Sequence, residues 1–208
     1  MRLTFNENFG GLSLKVRRYS NHDLAKENSI PSASSVNSSK SLCWNVINST
    51  RLTAKIYDAS DGFGVALTKS EVDDFLQNSK LNVRLGTVDK NGDPMIHPVW
   101  FYYMNDKIYI ETSKDSQKIK NIRRKNIVYF TVDEERMPYK GVRGKGIAKI
   151  IEGAEKVSPI TEKLMIKYTG SLDNPIAKEL MDAAKAGFSV AIEITPKYYS
   201  TWDYSRRG

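Results

Sequence analysis

Hydroxyl, amide and ammonium side chains are concentrated in the segment ETSKDSQKIKNIRRK. Thr112 and Ser113 end a stretch that is typical of a β-strand, whereas Ser116, Gln117 and Lys118 stand where a helical pattern begins. A helix N-terminus presents free backbone N–H groups and a partial positive charge, and both favour an anion. The hydroxyls and the Lys118 ammonium add to that preference. The segment therefore predicts a phosphate-binding site.

A purely structural explanation of the same residues is equally open. Ser116 suits an N-cap position, where it would serve only the helix itself. Ile119 and Ile122 have the spacing of a buried helix face, so the lysines around them would lie on a solvated face. The two explanations differ in whether the hydroxyl and the ammonium meet a ligand.

The elements around this junction predict a mainly antiparallel β fold with helices at its margin. Thr68 and Glu71 have the spacing of a capping box at the start of a short amphipathic helix. Two strands meet in a hairpin at Asn91 and Gly92. Further strands are predicted in KIYIETS, NIVYFTVD, VRGKGIAKIIE and GFSVAIEIT, and further helices in DSQKIKNIRRK, PITEKLMIKYTG and NPIAKELMDAAKAG.

Composition divides the chain into two parts. Residues 1–65 are rich in serine and asparagine and lack hydrophobic periodicity, so they predict a disordered extension, and residues 66–208 form the predicted domain. Cys43 is the only cysteine, which excludes an intrachain disulfide and a thiolate metal cluster. No apolar run is long enough for a membrane helix and no secretory signal is recognisable, so we expect a cytoplasmic protein. The formal net charge of +8 favours an anionic partner of unspecified kind.

The stretch GTVDKNGDPMIHPVWFYYMNDKIYIETSKDSQKIKNIRRKNIVYFTVD and the ending ITPKYYSTWDY resemble the pyridoxamine 5′-phosphate oxidase-like flavoprotein family. The resemblance implies an FMN-binding split β-barrel, an antiparallel Greek-key-like barrel in which T-x-x-x-S-R-K-x-x-x-[IL] grips the FMN phosphate. Here the residues of that pattern are Thr112, Ser116, Gln117, Lys118 and Ile122. Gln117 replaces the usual arginine, so Lys118 becomes the main charged partner of the phosphate.

The strand HPVWF lies along the edge of the isoalloxazine ring according to the same resemblance. His97, Val99, Trp100 and Phe101 are therefore expected to bind the cofactor. His97 stands where the oxidase proper has an arginine and Tyr102 where it has a lysine, so the vitamin oxidase activity itself is not expected. Read without the resemblance, the bulky residues of this strand indicate a core strand.

Two more segments are assigned to the cofactor by the resemblance. GVRGKGIAKI matches a strand that often faces the flavin of the partner subunit, and Arg143 and Lys145, two residues apart, project from one side of it. These cations are expected to stabilise negative charge on the reduced ring. Trp202 of the final strand is expected to border the ligand cavity. The alternatives are a solvated basic face for the two cations and a barrel plug for the tryptophan.

The resemblance implies a homodimeric FMN-dependent oxidoreductase with hydride transfer at flavin N5 and an unidentified small-molecule substrate. One alternative is a deazaflavin-coenzyme-dependent reductase, because Lys118, Lys120, Arg123 and Arg124 suit a long anionic tail. Another is a non-enzymatic flavin- or haem-binding module, because a fold does not determine a function. The basic run KIKNIRRK also suggests nucleic acid, but no RNA-binding signature accompanies it. We expect no membrane partner, no nucleic-acid partner and no metal.

Overall fold

The computed structural model describes residues 54–206, which contain eight strands and four helices. The elements are β1 Lys55–Asp58, α1 Lys69–Asn78, β2 Val83–Val88, β3 Pro94–Val99, β4 Tyr102–Met104, β5 Lys107–Ser113, α2 Gln117–Arg124, β6 Ile127–Asp133, β7 Lys140–Ile151, α3 Ala154–Thr169, α4 Pro175–Lys185 and β8 Ser189–Asp203. The prediction of disorder for residues 1–53 lies outside the described part of the chain. No helix within residues 54–206 is long and apolar enough to cross a membrane.

The strands form one curled sheet in the order β3-β2-β6-β7-β8-β5-β4. β7 and β8 are long strands of 12 and 15 residues that pair antiparallel over most of their length. Strands of this length carry a large accumulated twist, which curls the sheet around its apolar face. A register shift between Lys145 and Gly146 bends β7 further. The architecture is the mainly antiparallel split barrel that the sequence predicts.

β8 joins the two halves of the sheet, because different parts of it pair with different strands. Its first residues pair with β5, and its later residues pair in parallel with β1, from Lys55↔Tyr198 to Asp58↔Thr201. β1 thus lies on the N-terminal side of the domain boundary predicted at residue 66, and within the described residues it extends the sheet.

Local sequence signals specify several of these elements. Thr68 and Glu71 form the predicted capping box at the start of α1, with side-chain and backbone bonds in both directions. The β2–β3 hairpin turns where it was predicted, because Gly92 has a positive φ of 96° and the Asp89 carboxylate accepts the backbone N–H groups of Asn91 and Asp93.

The run MIHPVWFYYM was predicted to form one strand, but the structure divides it into β3 and β4. β3 ends at Val99, whose partner is Val83, and β4 begins at Tyr102, whose partner is Tyr109. The chain changes partner strands at this point, so the two residues between them have no place in either ladder. We refer to this break, Trp100 and Phe101, as the strand switch.

The helices α3 and α4 form a pair that covers the sheet face opposite the barrel core. Ala191 packs with these helices whereas its neighbour Ile192 packs in the barrel core, because successive side chains of a strand point to opposite faces. α3 begins at Ala154, earlier than the predicted start at Pro159, because the Gly153 carbonyl already accepts two helical bonds. α4 has its predicted cap, with the Asn174 side chain accepting the Ile176 N–H.

Candidate functional site

The junction between β5 and α2 brings three of the predicted site residues together. The Lys118 Nζ donates to the Thr112 Oγ1 over 2.8 Å, and the Thr112 hydroxyl lies 3.4 Å from the Ser116 Oγ. We call Thr112, Ser116 and Lys118 the hydroxyl–lysine cluster. Ser113 is next to it and exposed. The arrangement groups two hydroxyls and an ammonium at a helix N-terminus, as the sequence predicts.

Ser116 occupies the N-cap position of α2 without using its side chain as a cap. Its φ and ψ are −65° and 152°, and its backbone carbonyl accepts the first helical bonds, but its hydroxyl makes no capping hydrogen bond. The first N–H groups of a helix have no carbonyl partner within the helix. The Ser116 hydroxyl and these amides can therefore serve an anion together.

Charges around the cluster are partly withdrawn from water. Burial lowers the pKa of Lys118, and the nearby Glu111 carboxylate opposes that shift. Burial likewise raises the pKa of Glu111, against the effect of the Lys118 charge. Burial thus disfavours the charged form of both side chains. An anionic ligand beside Lys118 would stabilise the charged ammonium and so compensate for part of the water that it has lost.

A chain of polar side chains links α2 to His97 on β3. Gln117 Nε2 donates to Asn121 Oδ1 over 2.9 Å, Asn121 Nδ2 donates to Thr87 Oγ1 over 2.9 Å, and Thr87 Oγ1 lies 3.0 Å from His97 Nε2. Burial and the charge of Lys118 lower the pKa of His97, which favours its neutral ring. The sequence reasoning found Gln117 and His97 but missed the buried Thr87 and Asn121, whose only signal was polarity inside an apolar pattern.

A groove of about 380 Å³ opens beside the cluster. Residues of β5 supply a polar part of its lining, which we call the polar end, and the end of β3 together with α3 and α4 supplies an apolar part, which we call the apolar end. The lining residues are Asn82, Pro98, Val99, Trp100, Glu111, Thr112, Ser113, Leu164, Met165 and Leu180. Val99, Trp100, Thr112 and Ser113 were predicted from the sequence, but the helical residues were not.

The aromatic residues of the strand switch have different environments. The Trp100 ring stacks on the Tyr168 ring of α3, with centroids 4.7 Å apart and planes 6° from parallel. The Phe101 side chain is fully buried in the barrel core, and its backbone N–H donates to the Tyr168 Oη over 3.2 Å. The Phe101 side chain and N–H are therefore occupied by the protein itself, whereas Trp100 borders the groove.

The cations predicted on β7 lie in another part of the sheet. Arg143 borders a hollow of about 610 Å³ that residues of β2, β3, β6, β7 and β8 surround. Its guanidinium lies 5.9 Å from the centre of the Trp202 ring, and Lys145 Nζ lies 5.8 Å from the centre of the Tyr129 ring. No residue lines both this hollow and the groove. Within one chain, Arg143 therefore lines a different cavity from Thr112, and the ring contacts of Arg143 and Lys145 are with Trp202 and Tyr129.

Metal ligands are not grouped in residues 54–206. No three His, Cys, Asp or Glu side chains of this part of the chain come together as a metal site requires.

Comparison with protein families gives one match that covers most of the described residues. The sequence profile of the pyridoxamine 5′-phosphate oxidase family matches residues 68–203. The match contains the hydroxyl–lysine cluster, the strand switch, and both α3 and α4. No curated protein matches the chain.

Solved structures with the same architecture include proteins of different description. A conserved hypothetical protein from Mycobacterium tuberculosis is 26% identical, with a TM-score of 0.59, over 66% of this chain and 86% of its own. An F420 reductase is 25% identical, with a TM-score of 0.50, over 60% of this chain and 93% of its own. A haem storage protein from Vibrio cholerae is 13% identical, with a TM-score of 0.51, over 65% and 93%. The last likeness concerns the fold alone.

Proposed function

The chain belongs to the pyridoxamine 5′-phosphate oxidase family, and from that premise we propose that it is an FMN-dependent oxidoreductase. The groove beside the β5–α2 junction is the proposed cofactor site. The observation that carries the proposal is the hydroxyl–lysine cluster, in which Lys118 and two hydroxyls meet at a helix N-terminus whose serine does not cap the helix.

The residues of the cluster suit a phosphate monoester. Lys118 would supply a charge-assisted hydrogen bond, and Thr112 and Ser116 would donate from their hydroxyls. The exposed Ser113 hydroxyl and the N–H groups at the start of α2 would complete the set of donors. Gln117, in place of an arginine, carries no charge, and its amide is bonded to Asn121.

The apolar end of the groove suits a planar ring. Val99 and Trp100 would flank it along the end of β3, and Leu164 and Met165 would exclude water from its far side. FMN bound there would supply a ring that accepts a hydride at N5. The protein would orient that ring and keep solvent from it.

Titration of the purified protein with FMN and with riboflavin tests this proposal. We expect both to bind, FMN more tightly, and bound FMN to show the two visible absorption bands of an oxidised flavin. Mass spectrometry of the protein as isolated identifies any retained cofactor. Absence of saturable binding of either flavin would contradict the proposal.

A deazaflavin coenzyme is the second candidate, because an F420 reductase is 25% identical over 60% of this chain. Its anionic tail would extend beyond the phosphate towards α2, where Lys120 is exposed. Arg123 and Arg124 are nearby but bonded to Glu152 and Asn121. A competition binding experiment separates the two candidates. If a deazaflavin coenzyme displaces FMN at equal concentration, the result would favour a deazaflavin-coenzyme-dependent reductase.

We further propose that the protein is a homodimer that uses the sheet face around the 610 Å³ hollow. Ile96 and Tyr129 border that hollow with 64% and 53% of their surface exposed, and exposed apolar surface of this kind favours association. A second chain on this face would cover Ile96, Tyr129 and Arg143. Light scattering should return twice the 23.6 kDa chain mass, and Tyr129→Glu should return the single mass.

A further inference from the structure

The backbone of the strand switch needs hydrogen-bond partners that the sheet does not supply. β3 pairs with β2 up to Val99, and β4 pairs with β5 from Tyr102, so the backbone of Trp100 and Phe101 lies outside both ladders. Phe101 is fully buried. A buried N–H group without an acceptor is costly, so another part of the chain must bind it.

Tyr168 of α3 binds this backbone. Its Oη accepts the Phe101 N–H over 3.2 Å and donates to the Leu81 carbonyl over 3.0 Å. Burial raises the pKa of Tyr168 to about 12, so the hydroxyl keeps the proton that it donates. The same ring stacks on Trp100. One side chain thus contacts both residues of the strand switch and the chain segment that enters β2.

Lys167, the preceding residue, strengthens the same attachment. Its Nζ lies 3.8 Å from the centre of the Phe101 ring and donates to the Leu76 carbonyl over 3.4 Å. Burial lowers the pKa of Lys167 to about 8. The last turn of α3 therefore contacts both the backbone N–H and the ring of Phe101. The same helix supplies Leu164 and Met165 to the groove.

We propose that Tyr168 is a positioning residue that holds Val99 and Trp100 at the wall of the groove and so determines how a planar ring binds there. The inference rests on the proposed function, because the ring is that of the proposed flavin. It assigns to the last turn of α3 a part in ligand binding, in addition to its packing on the sheet.

Tyr168→Phe tests the inference, because it removes both hydrogen bonds and keeps the stacked ring. Amide hydrogen exchange at Phe101, measured without ligand, should become at least tenfold faster, since the N–H loses its acceptor. FMN and riboflavin should each bind about tenfold more weakly, because the effect concerns the ring and not the phosphate. The visible circular dichroism of bound FMN should also change. Tyr139→Phe removes an exposed tyrosine hydroxyl and is the matched control.

The outcomes separate a positioning role from a structural one. Faster exchange at Phe101 with unchanged flavin affinities and unchanged dichroism would overturn the inference, since Tyr168 would then serve the fold alone. Unchanged exchange at Phe101 would overturn it too, because the Phe101 N–H would then not depend on the Tyr168 hydroxyl. A loss specific to FMN would assign the effect to the phosphate and overturn it as well. If the wild-type protein binds neither flavin, the proposed function fails first, whatever the exchange at Phe101 shows.

Discussion

The two ends of the groove are built in different ways. The polar end comes from one continuous segment: Thr112 lines the groove, and one strand-to-helix turn brings Ser116 and Lys118 into contact with Thr112. The apolar end is assembled from elements far apart in the chain, including Trp100, Leu164 and Leu180. Damage to the polar end should therefore affect the phosphate alone, whereas damage to the apolar end should affect stability and every ligand with a ring.

Leu164→Ala should have the largest effect on stability. It truncates a side chain of α3 that is only 1% exposed, packs with α4 and lines the groove. We expect the free energy of unfolding to fall by about 2–4 kcal/mol, as for other large-to-small changes in a core. Urea unfolding followed by far-UV circular dichroism measures the change. Ile166→Ala, on the exposed side of the same helix with 50% of its surface accessible, should cost less than about 0.5 kcal/mol. Equal losses in the two variants would contradict the packing described for α3.

Lys118→Ala should weaken FMN binding by roughly ten- to a hundredfold, because a charge-assisted hydrogen bond contributes about 1.5–3 kcal/mol. Riboflavin lacks the phosphate, so its affinity should stay within experimental error. Isothermal titration of both ligands measures the two affinities. A parallel loss of riboflavin binding would mean that Lys118 supports the ring end as well, and the contrast between the two ends would disappear.

Ser116→Ala separates a helix cap from a ligand contact. The hydroxyl makes no capping bond, so the stability of the protein should hardly change, while FMN affinity should fall by about two- to tenfold for one lost hydrogen bond. Asn174→Ala is the matched control at a cap that is in use, and it should cost about 1 kcal/mol of stability without affecting FMN. Melting temperatures and FMN titrations of both variants measure the two effects. A destabilised Ser116→Ala protein with normal FMN binding would show that the hydroxyl caps the helix and does not contact the ligand.

Glu111→Gln should have the smallest effect, and the effect should depend on pH. Burial raises the pKa of Glu111 in the folded protein, so the folded state holds this proton to higher pH than the unfolded state does. The stability that this difference supplies is present below the ordinary pKa of 4.5 and is lost as pH rises through the folded value. The variant should match the wild type at pH 4 and melt slightly higher at pH 7.5.

Glu179→Gln, at an exposed position of α4, removes the same charge away from the groove and serves as the control. A glutamine variant of Glu111 that is less stable than the wild type at pH 7.5 would show that the carboxylate makes a favourable contact. The polar end would then contain a stabilising anion beside Lys118, which would argue against a phosphate there.

Several features could be predicted from the sequence because they depend on residues close together in it. The capping box at Thr68, the hairpin at Gly92 and the cap at Asn174 each rest on hydrogen bonds that span a few residues. The resemblance to a known family added the expected roles of the site residues, which remain predictions. The two middle members of the polar chain, Thr87 and Asn121, were missed because they are 34 residues apart and no motif specifies either of them.

The sequence by itself determined the mainly antiparallel fold and the hydroxyl–lysine cluster, because alternation, caps and one strand-to-helix turn are local properties of the chain. Only the tertiary structure decided where β3 breaks, which side chain binds the broken backbone, and which part of the sheet Arg143 occupies. Tyr168 reaches the Phe101 N–H across 67 positions of sequence, and nothing in its own neighbourhood predicts that contact. The physical reason is that a buried backbone N–H can donate to any acceptor that packing brings within reach, so the packing of α3 on the sheet determines which acceptor it finds.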